Sequence, residues 1–146
     1  MEVLFFTSSG SGLFIRSDME EGHWIQEEMT VTATFPFLKD KQIELGQRLA
    51  FHDPATGDLV CFEIRNVSNI EPDHYQQITA ESIAIAELSD DHINTTEITE
   101  KTAKQALDEV LSGSLWSSGT VATGATNESS GDISRGSVWQ AVKAIE

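Results

Sequence analysis

The stretch Thr30-Val-Thr-Ala-Thr-Phe-Pro-Phe37 decides the fold class of this chain. Apolar residues alternate with threonines along it, which is the period of two expected of a half-buried β-strand. Pro36 has no N–H to donate to a ladder, so we expect this strand to finish at a sheet edge or a bulge. The face predicted to enter a β core consists of Val31, Ala33, Phe35 and Phe37.

Further strands are predicted after this one. The turn Asp53-Pro-Ala-Thr-Gly-Asp58 lies between two apolar runs, which is the pattern of a β-hairpin. The second arm of the hairpin breaks its alternation between Ile64 and Val67, so we expect a bulge there. A third arm covers residues 74–83. Short strands with turns about every ten residues predict an antiparallel small β-barrel over residues 1–89.

The pattern changes from strands to helices after residue 89. Over about residues 100–111, apolar residues recur at helical spacing, and they are Ala103, Ala106, Leu107, Val110 and Leu111. Thr99 is the predicted N-cap of this helix, and Ser112-Gly113 is its predicted end.

The rest of the chain is predicted to combine a flexible tract with one more helix. Residues 117–131 are dominated by Ser, Gly and Thr, so they are expected to form a flexible tract. A helix over about 135–145 follows, with Ser134 or Ser137 as its cap. We therefore expect residues 90–146 to begin a second, α/β domain. The predicted fold class is mainly β (α+β).

The charge of the chain restricts its partners. The 146 residues include 24 acids and 9 Lys or Arg, a formal net charge of −15, which argues against specific nucleic-acid binding and against an anionic membrane surface. The segment Met1–Phe6 has no basic start and too short an apolar run for a targeting or membrane segment. Eight acids and no Lys or Arg lie between Asn66 and Glu100. They are Glu71, Asp73, Glu81, Glu87, Asp90, Asp91, Glu97 and Glu100.

Two interpretations of this acidic run stay open. It is either a solvated face that favours solubility, or a surface that keeps another polyanion from adhering, such as DNA passing through a channel.

Several motifs could carry chemistry, and each has a simpler interpretation. Gly10-Ser-Gly12 lacks the third glycine of a nucleotide fingerprint and precedes another strand, which favours a hairpin turn. Asp90-Asp91-His92 is a compact set of possible metal ligands, but it has no further ligand near it in sequence, which favours a solvated turn. The four histidines show no paired ligand spacing, and they are His23, His52, His74 and His92.

No nucleophile is predicted either. The chain has no G-x-S-x-G elbow, and Cys61 sits in a predicted strand without a cationic neighbour that would lower its pKa. We therefore expect no catalytic, cofactor-binding or metal-binding residue, no cofactor and no enzymatic activity in this segment. Trp24, Trp116 and Trp139 are open between core packing and a stacking platform for a sugar or peptide.

Three segments, taken in order, resemble the N-terminal region of phage and prophage minor tail proteins, the family that includes the tail-associated endopeptidases. The first is Gln26–Phe37 followed by Ile43–Phe51. The second is Cys61–Val67 running into Tyr75–Asp91. The third is Lys101–Trp116, with the next helix starting at Ser137-Val-Trp139-Gln-Ala.

This resemblance implies a function as well as a fold. It implies a structural component of the tail-tip baseplate hub, which closes the distal end of the tail tube. Such a protein would act as a homotrimer, contact other tail proteins and lie in the virion tail after assembly in the bacterial cytoplasm. No catalytic residue of the family maps onto this segment. The alternatives are a small β-barrel module that binds carbohydrate or peptide, and third, a fragment of a cell-wall hydrolase.

Overall fold

The computed structural model describes residues 1–19, 23–70, 72, 74–91, 97–121, 129–132 and 137–145. The chain divides into two units, Met1–Ile83 and Ala84–Glu146. From the sequence we placed the division at about residue 89. The helix Ile83–Asp90 follows the third arm directly.

The first unit is built on one antiparallel sheet. Its strands are β1 (Val3–Phe6), β2 (Gly12–Arg16), β3 (Trp24–Gln26), β4 (Thr30–Pro36), β5 (Arg48–His52), β6 (Leu59–Ile70) and β7 (Tyr75–Ser82). The order in the sheet is β2-β1-β5-β6-β7-β4-β3. The mainly β prediction is thus confirmed, and so are the alternating strand β4 and the β5–β6 hairpin.

The long strand β6 joins the two halves of the sheet. Its first residues pair with β5, and its later residues pair with β7. The register shifts between Ile64 and Asn66, which confirms the bulge expected from the broken alternation before Val67.

The sheet is open, which corrects the closed barrel expected from the sequence. Every neighbouring pair is antiparallel, so with seven strands the two outer strands, β2 and β3, run in the same direction. Closing the sheet would require a parallel pair between them, which is less stable than an antiparallel pair. Among the described residues no ladder joins β2 to β3.

Although open, the sheet is strongly curled around its core. Strands β1 and β4 are four positions apart, or about 19 Å in a flat sheet. Yet the ring centroids of Phe5 and Phe35 are 5.7 Å apart, in an edge-to-face contact. Trp24 on β3 makes a similar contact with Phe51 on β5 at 4.8 Å. The two halves of the sheet therefore enclose one core, formed by Val3, Phe5, Val31, Ala33, Phe35, Ile43, Leu49, Phe51, Phe62, Ile64, Ile78 and Ala80.

One buried polar residue fixes the long connection between β4 and β5. Gln76 on β7 is 1% exposed. Its Oε1 accepts from the backbone N–H of Ile43 at 3.0 Å, and its Nε2 donates to the carbonyl of Ile43 at 3.1 Å. Because both backbone groups of Ile43 are paired in this way, the residue can be buried without the cost of unsatisfied polar atoms.

The second unit contains three helices and a two-stranded ribbon among its described residues. They are α1 (Ile83–Asp90), β8 (Glu97–Lys101), α2 (Ala103–Leu111), β9 (Ser129–Asp132) and α3 (Val138–Ile145). Strands β8 and β9 pair antiparallel. Strand β9 lies in the tract expected to be flexible, of which residues 122–128 are outside the described residues. The core consists of Leu88, Ile98, Ala106, Val110, Leu111, Val138 and Ala141.

The structure identifies the N-cap residues of α2 and α3. Helix α2 is capped by Thr102, not Thr99, because Thr102 and Gln105 form a capping box in which each side chain bonds the backbone N–H of the other. Helix α3 is capped by Ser137, whose hydroxyl accepts from Gln140 at 3.3 Å. Ser134, the other predicted cap, lies outside the described residues.

Candidate functional site

The residues considered for metal binding lie apart from one another. His23, His52 and His74 are exposed, and His52 donates from Nδ1 to the carbonyl of Gly57 at 3.1 Å. Asp90 and Asp91 are exposed at the end of α1, and His92 lies outside the described residues. Within the described ranges, no three His, Cys, Asp or Glu side chains are grouped to hold a metal ion.

Cys61 has one neighbour that the sequence did not indicate. It lies half-buried on β6 opposite Ala50. Burial raises the pKa of its thiol, and the positive charge of Arg48 opposes this rise only in part. The thiol therefore stays protonated at neutral pH, which makes it a poor nucleophile.

Gly10-Ser-Gly12 lies at the hairpin between β1 and β2, as expected. Gly10 has a positive φ of 90° and donates its N–H to the carbonyl of Thr7 at 2.9 Å. The strand β2 begins at Gly12, so this segment turns the chain and starts no helix.

The described acids of the acidic run belong to both units of the chain. Glu81 lies in the first unit and forms an ion pair with Arg65 at 3.6 Å. Glu87 lies in the second unit and accepts from the indole N–H of Trp116 at 2.9 Å. Glu71 and Asp73 are outside the described residues. The described acids of the run are thus divided between the two units, and some of them already have partners.

The three tryptophans differ in exposure. Trp24 and Trp139 are half-buried and pack against the cores of the first and second units, respectively. Trp116 is 37% exposed and is held by its bond to Glu87. A sugar-stacking platform needs an exposed aromatic face. The rings of Trp24 and Trp139 instead pack against the hydrophobic cores.

An acid-lined cleft of about 500 Å³ lies beside β3. The side chain of Gln26 donates to Asp53 at 3.1 Å and joins β3 to the β5–β6 turn at this cleft. None of the tryptophans lines the cleft. The residues that line it are Gln26, Glu27, Glu28, Asp53, Pro54 and Ala55.

The most elaborate polar arrangement surrounds Arg16, which the sequence analysis did not select. Arg16 ends β2 and is 1% exposed, a rare degree of burial for a charged residue. Its guanidinium donates to the carbonyls of Pro36 at 2.6 Å and Lys41 at 3.0 Å, and it forms a two-pronged ion pair with Asp18. It also lies over the ring of Phe35, 5.3 Å from the centroid.

Arg16 therefore links the outer strand β2 to the end of β4. The last residue of β4 that pairs with β3 is Ala33, and Pro36 lies beyond it at the end of the strand. In a closed barrel, a further strand would pair with β4 at this point. A side chain thus takes the place of the missing strand pair. The ion pair has a further effect on Asp18, since the hydrogen bond from Arg16 lowers the pKa of its carboxyl group below 3.8.

Two groups of exposed aliphatic side chains flank the open edges of the sheet. On β1 and β2, Leu4, Leu13 and Ile15 are 41–52% exposed, and Leu4 and Ile15 are directly paired across the strands. Beside β3, Ile25 and Met29 are also exposed. Such side chains at unpaired sheet edges are features of protein–protein contacts. The alternation in β2 did not identify them, because Phe14 on the opposite face is also apolar.

The fold is similar to the crystal structure of the prophage tail protein gp18 from Listeria monocytogenes EGD-e, with a TM-score of 0.77. The match covers 99% of this chain and 45% of that protein at 12% sequence identity, so this chain spans less than half of its length. At this identity the likeness shows a common fold. No family model matches the chain, and no curated protein matches it. No helix in the described ranges is long and apolar enough to cross a membrane.

Proposed function

We propose that this chain is a structural component of a phage tail. The observation that carries the proposal is the match of its whole length, both units included, to a prophage tail protein. A chance likeness between small β domains would be expected to involve the sheet alone. Here 99% of the chain is matched, including the helical second unit.

Within the tail, the chain belongs to the tail-tip hub that closes the distal end of the tube. It assembles there as a homotrimer and contacts other tail proteins, and it is built into the virion tail in the bacterial cytoplasm. The ordered segments that resemble minor tail proteins support this location. The exposed aliphatic side chains at both sheet edges support assembly, because they are surfaces that another subunit can cover.

The chain acts by assembly and not by catalysis. This part of the proposal is supported by the positions of the residues considered for chemistry. In the described part of the chain, the histidines are separate and exposed, and the Cys61 thiol has a raised pKa. The net charge of −15 also suits a component past which DNA moves without adhering.

A deletion of the reading frame in the phage that encodes this chain tests the proposal. We expect the mutant to yield filled heads without functional tails, and we expect a plasmid copy of the gene to restore infectious particles. Purified wild-type particles should contain the protein in mass spectra. Normal, infectious particles that lack the protein would overturn the proposal.

A further inference from the structure

Two surfaces of the first unit differ in charge but share an apolar character. We name the first the β2 surface, and it consists of Leu4, Leu13, Ile15, Lys39 and Lys41. We name the second the β3 surface, and it consists of Ile25, Glu27, Glu28 and Met29. Each lies beside an outer strand of the sheet, and among the described residues neither outer strand has a second neighbour.

The β2 surface carries a positive charge. The ammonium group of Lys41 donates to the carbonyl of Ile15 at 3.4 Å, and the carbonyl of Lys41 accepts from Arg16 at 3.0 Å, which places the turn Lys39–Lys41 against β2. Asp18 is neutralised by its ion pair with Arg16. In the turn, Lys39 and Lys41 outnumber Asp40, so the turn adds a local positive charge beside β2 in a chain of net charge −15.

The β3 surface carries a negative charge. Glu27 and Glu28 follow β3 directly and are both exposed. Between Arg16 and Lys39 the sequence contains no Lys or Arg. Ile25, 59% exposed, and Met29, 41% exposed, supply the apolar part of the surface.

We propose that the β2 surface of one copy binds the β3 surface of a second copy, head to tail. Copies with a net charge of −15 repel one another, so a contact between them requires local attraction at the contact itself. Since salt screens charges beyond about 8 Å at physiological ionic strength, the charges within the contact decide its sign. Here lysines would face glutamates around aliphatic side chains.

This geometry has a consequence for the assembly. Because the two surfaces are different, each copy uses one to bind the copy before it and the other to bind the copy after it. Such contacts form a closed ring when the rotation between copies allows it. The inference rests on the proposed function, in which the chain assembles with itself in a tail, and it identifies the faces that meet.

Charge reversal on each surface, first separately and then in one chain, tests the inference. The variant K39E/K41E presents acids on both surfaces, and the variant E27K/E28K presents bases on both. We expect each variant alone to associate at least about tenfold more weakly than the wild type in sedimentation velocity, because like charges would face each other. The combined variant E27K/E28K/K39E/K41E, which keeps the net charge of the chain, should recover the complex, because opposite charges then meet again at every contact of the ring.

Matched controls separate this effect from general changes in charge or apolar area. The variant K104E/K143E changes the net charge by the same amount in the second unit, and it should associate like the wild type. Leu13→Ser should weaken association, whereas Leu115→Ser, at a site that is 95% exposed in the second unit, should not.

Several results would overturn the inference. They are a wild-type chain that sediments as a monomer at every concentration, charge variants that associate as well as the wild type, and a combined variant that fails to recover the complex. A two-fold contact between two β2 surfaces would also be revealed, because E27K/E28K would leave its association unchanged. These results do not depend on phage particles, so they are separate from the deletion test of the proposed function.

Discussion

Arg16 joins the outer strand β2 to the end of β4 through a buried set of polar contacts. Its guanidinium bonds two backbone carbonyls and Asp18 from a site that is 1% exposed. Replacing it with Met would leave those carbonyls without a donor, and breaking a buried ionic arrangement in this way costs about 3 kcal/mol. We expect Arg16→Met to lower the free energy of unfolding of the first unit by about this amount in urea titrations.

Two further variants make this prediction specific. Arg16→Lys keeps the charge but loses the planar fork, so it should give an intermediate loss of stability. Arg65→Met removes a more exposed arginine that pairs with Glu63 and Glu81, and it should cost no more than about 1 kcal/mol. Equal losses for Arg16→Met and Arg65→Met would contradict the role given to Arg16.

The ion pair of Asp18 predicts a pH dependence in acid. Arg16 lowers the pKa of Asp18 in the folded chain below its ordinary 3.8. The stabilisation from this group is therefore complete above about pH 4 and is lost as the pH falls through the lowered pKa. In thermal melts between about pH 2 and 5, Asp18→Asn should show a smaller loss of stability in acid than the wild type. An unchanged acid slope would contradict the prediction.

At the scale of single elements, the capping box of α2 offers a matched pair of threonines. Thr102 caps the helix with Gln105, whereas Thr99 is exposed in β8. Loss of a helix cap costs about 1 kcal/mol, and exposed substitutions usually cost less than about 0.5 kcal/mol. We expect Thr102→Ala to destabilise the second unit more than Thr99→Ala does in chemical denaturation. A larger loss of stability for Thr99→Ala than for Thr102→Ala would contradict the assignment of Thr102 as the cap.

The same pair of threonines shows which features of α2 could be predicted from the sequence and which could not. The apolar stripe correctly predicted α2, but Thr99 and Thr102 are equally good caps as residue types. They differ in the residue three positions on, which is Thr102 for Thr99 and Gln105 for Thr102. Only the second arrangement completes a capping box.

Helix α1 was not predicted for a similar reason. The run Ile83-Ala-Ile-Ala-Glu-Leu88 is apolar at nearly every position, and such a short run fits a buried strand as well as a helix. In the structure the ladder ends at Ser82, which pairs with Phe62 and donates its N–H to the carbonyl of Met29 at 2.9 Å, and α1 begins at the next residue. Pairing between strands that are distant in the sequence cannot be predicted from local periodicity.

The candidate surfaces were likewise only partly predictable. The alternation of β4 identified the core face of the sheet, since its period of two is a local property. The contact of Arg16 with Pro36 joins residues 20 positions apart, and it depends on the curl of the whole sheet. The acidic run, in contrast, was visible in the sequence, but its division between the two units was not.

At the scale of the whole molecule, each unit has a hydrophobic core of its own. The core of the first unit is formed entirely by residues before Ile83. We therefore expect a fragment of residues 1–83 to fold cooperatively, with the β signature in circular dichroism and a single unfolding transition. A fragment that lacks a cooperative transition would show that the first unit depends on the second.

We propose above all that the chain is a structural protein of the tail tip. The most direct test of this proposal is a cryo-electron microscopy reconstruction of the tails of the phage that encodes it. We expect density for both units at the distal end of the tail tube, repeated around its axis, with the β2 surface of each copy facing the β3 surface of the next. Density for the chain elsewhere in the particle, or its absence from well-resolved complete tails, would contradict the account.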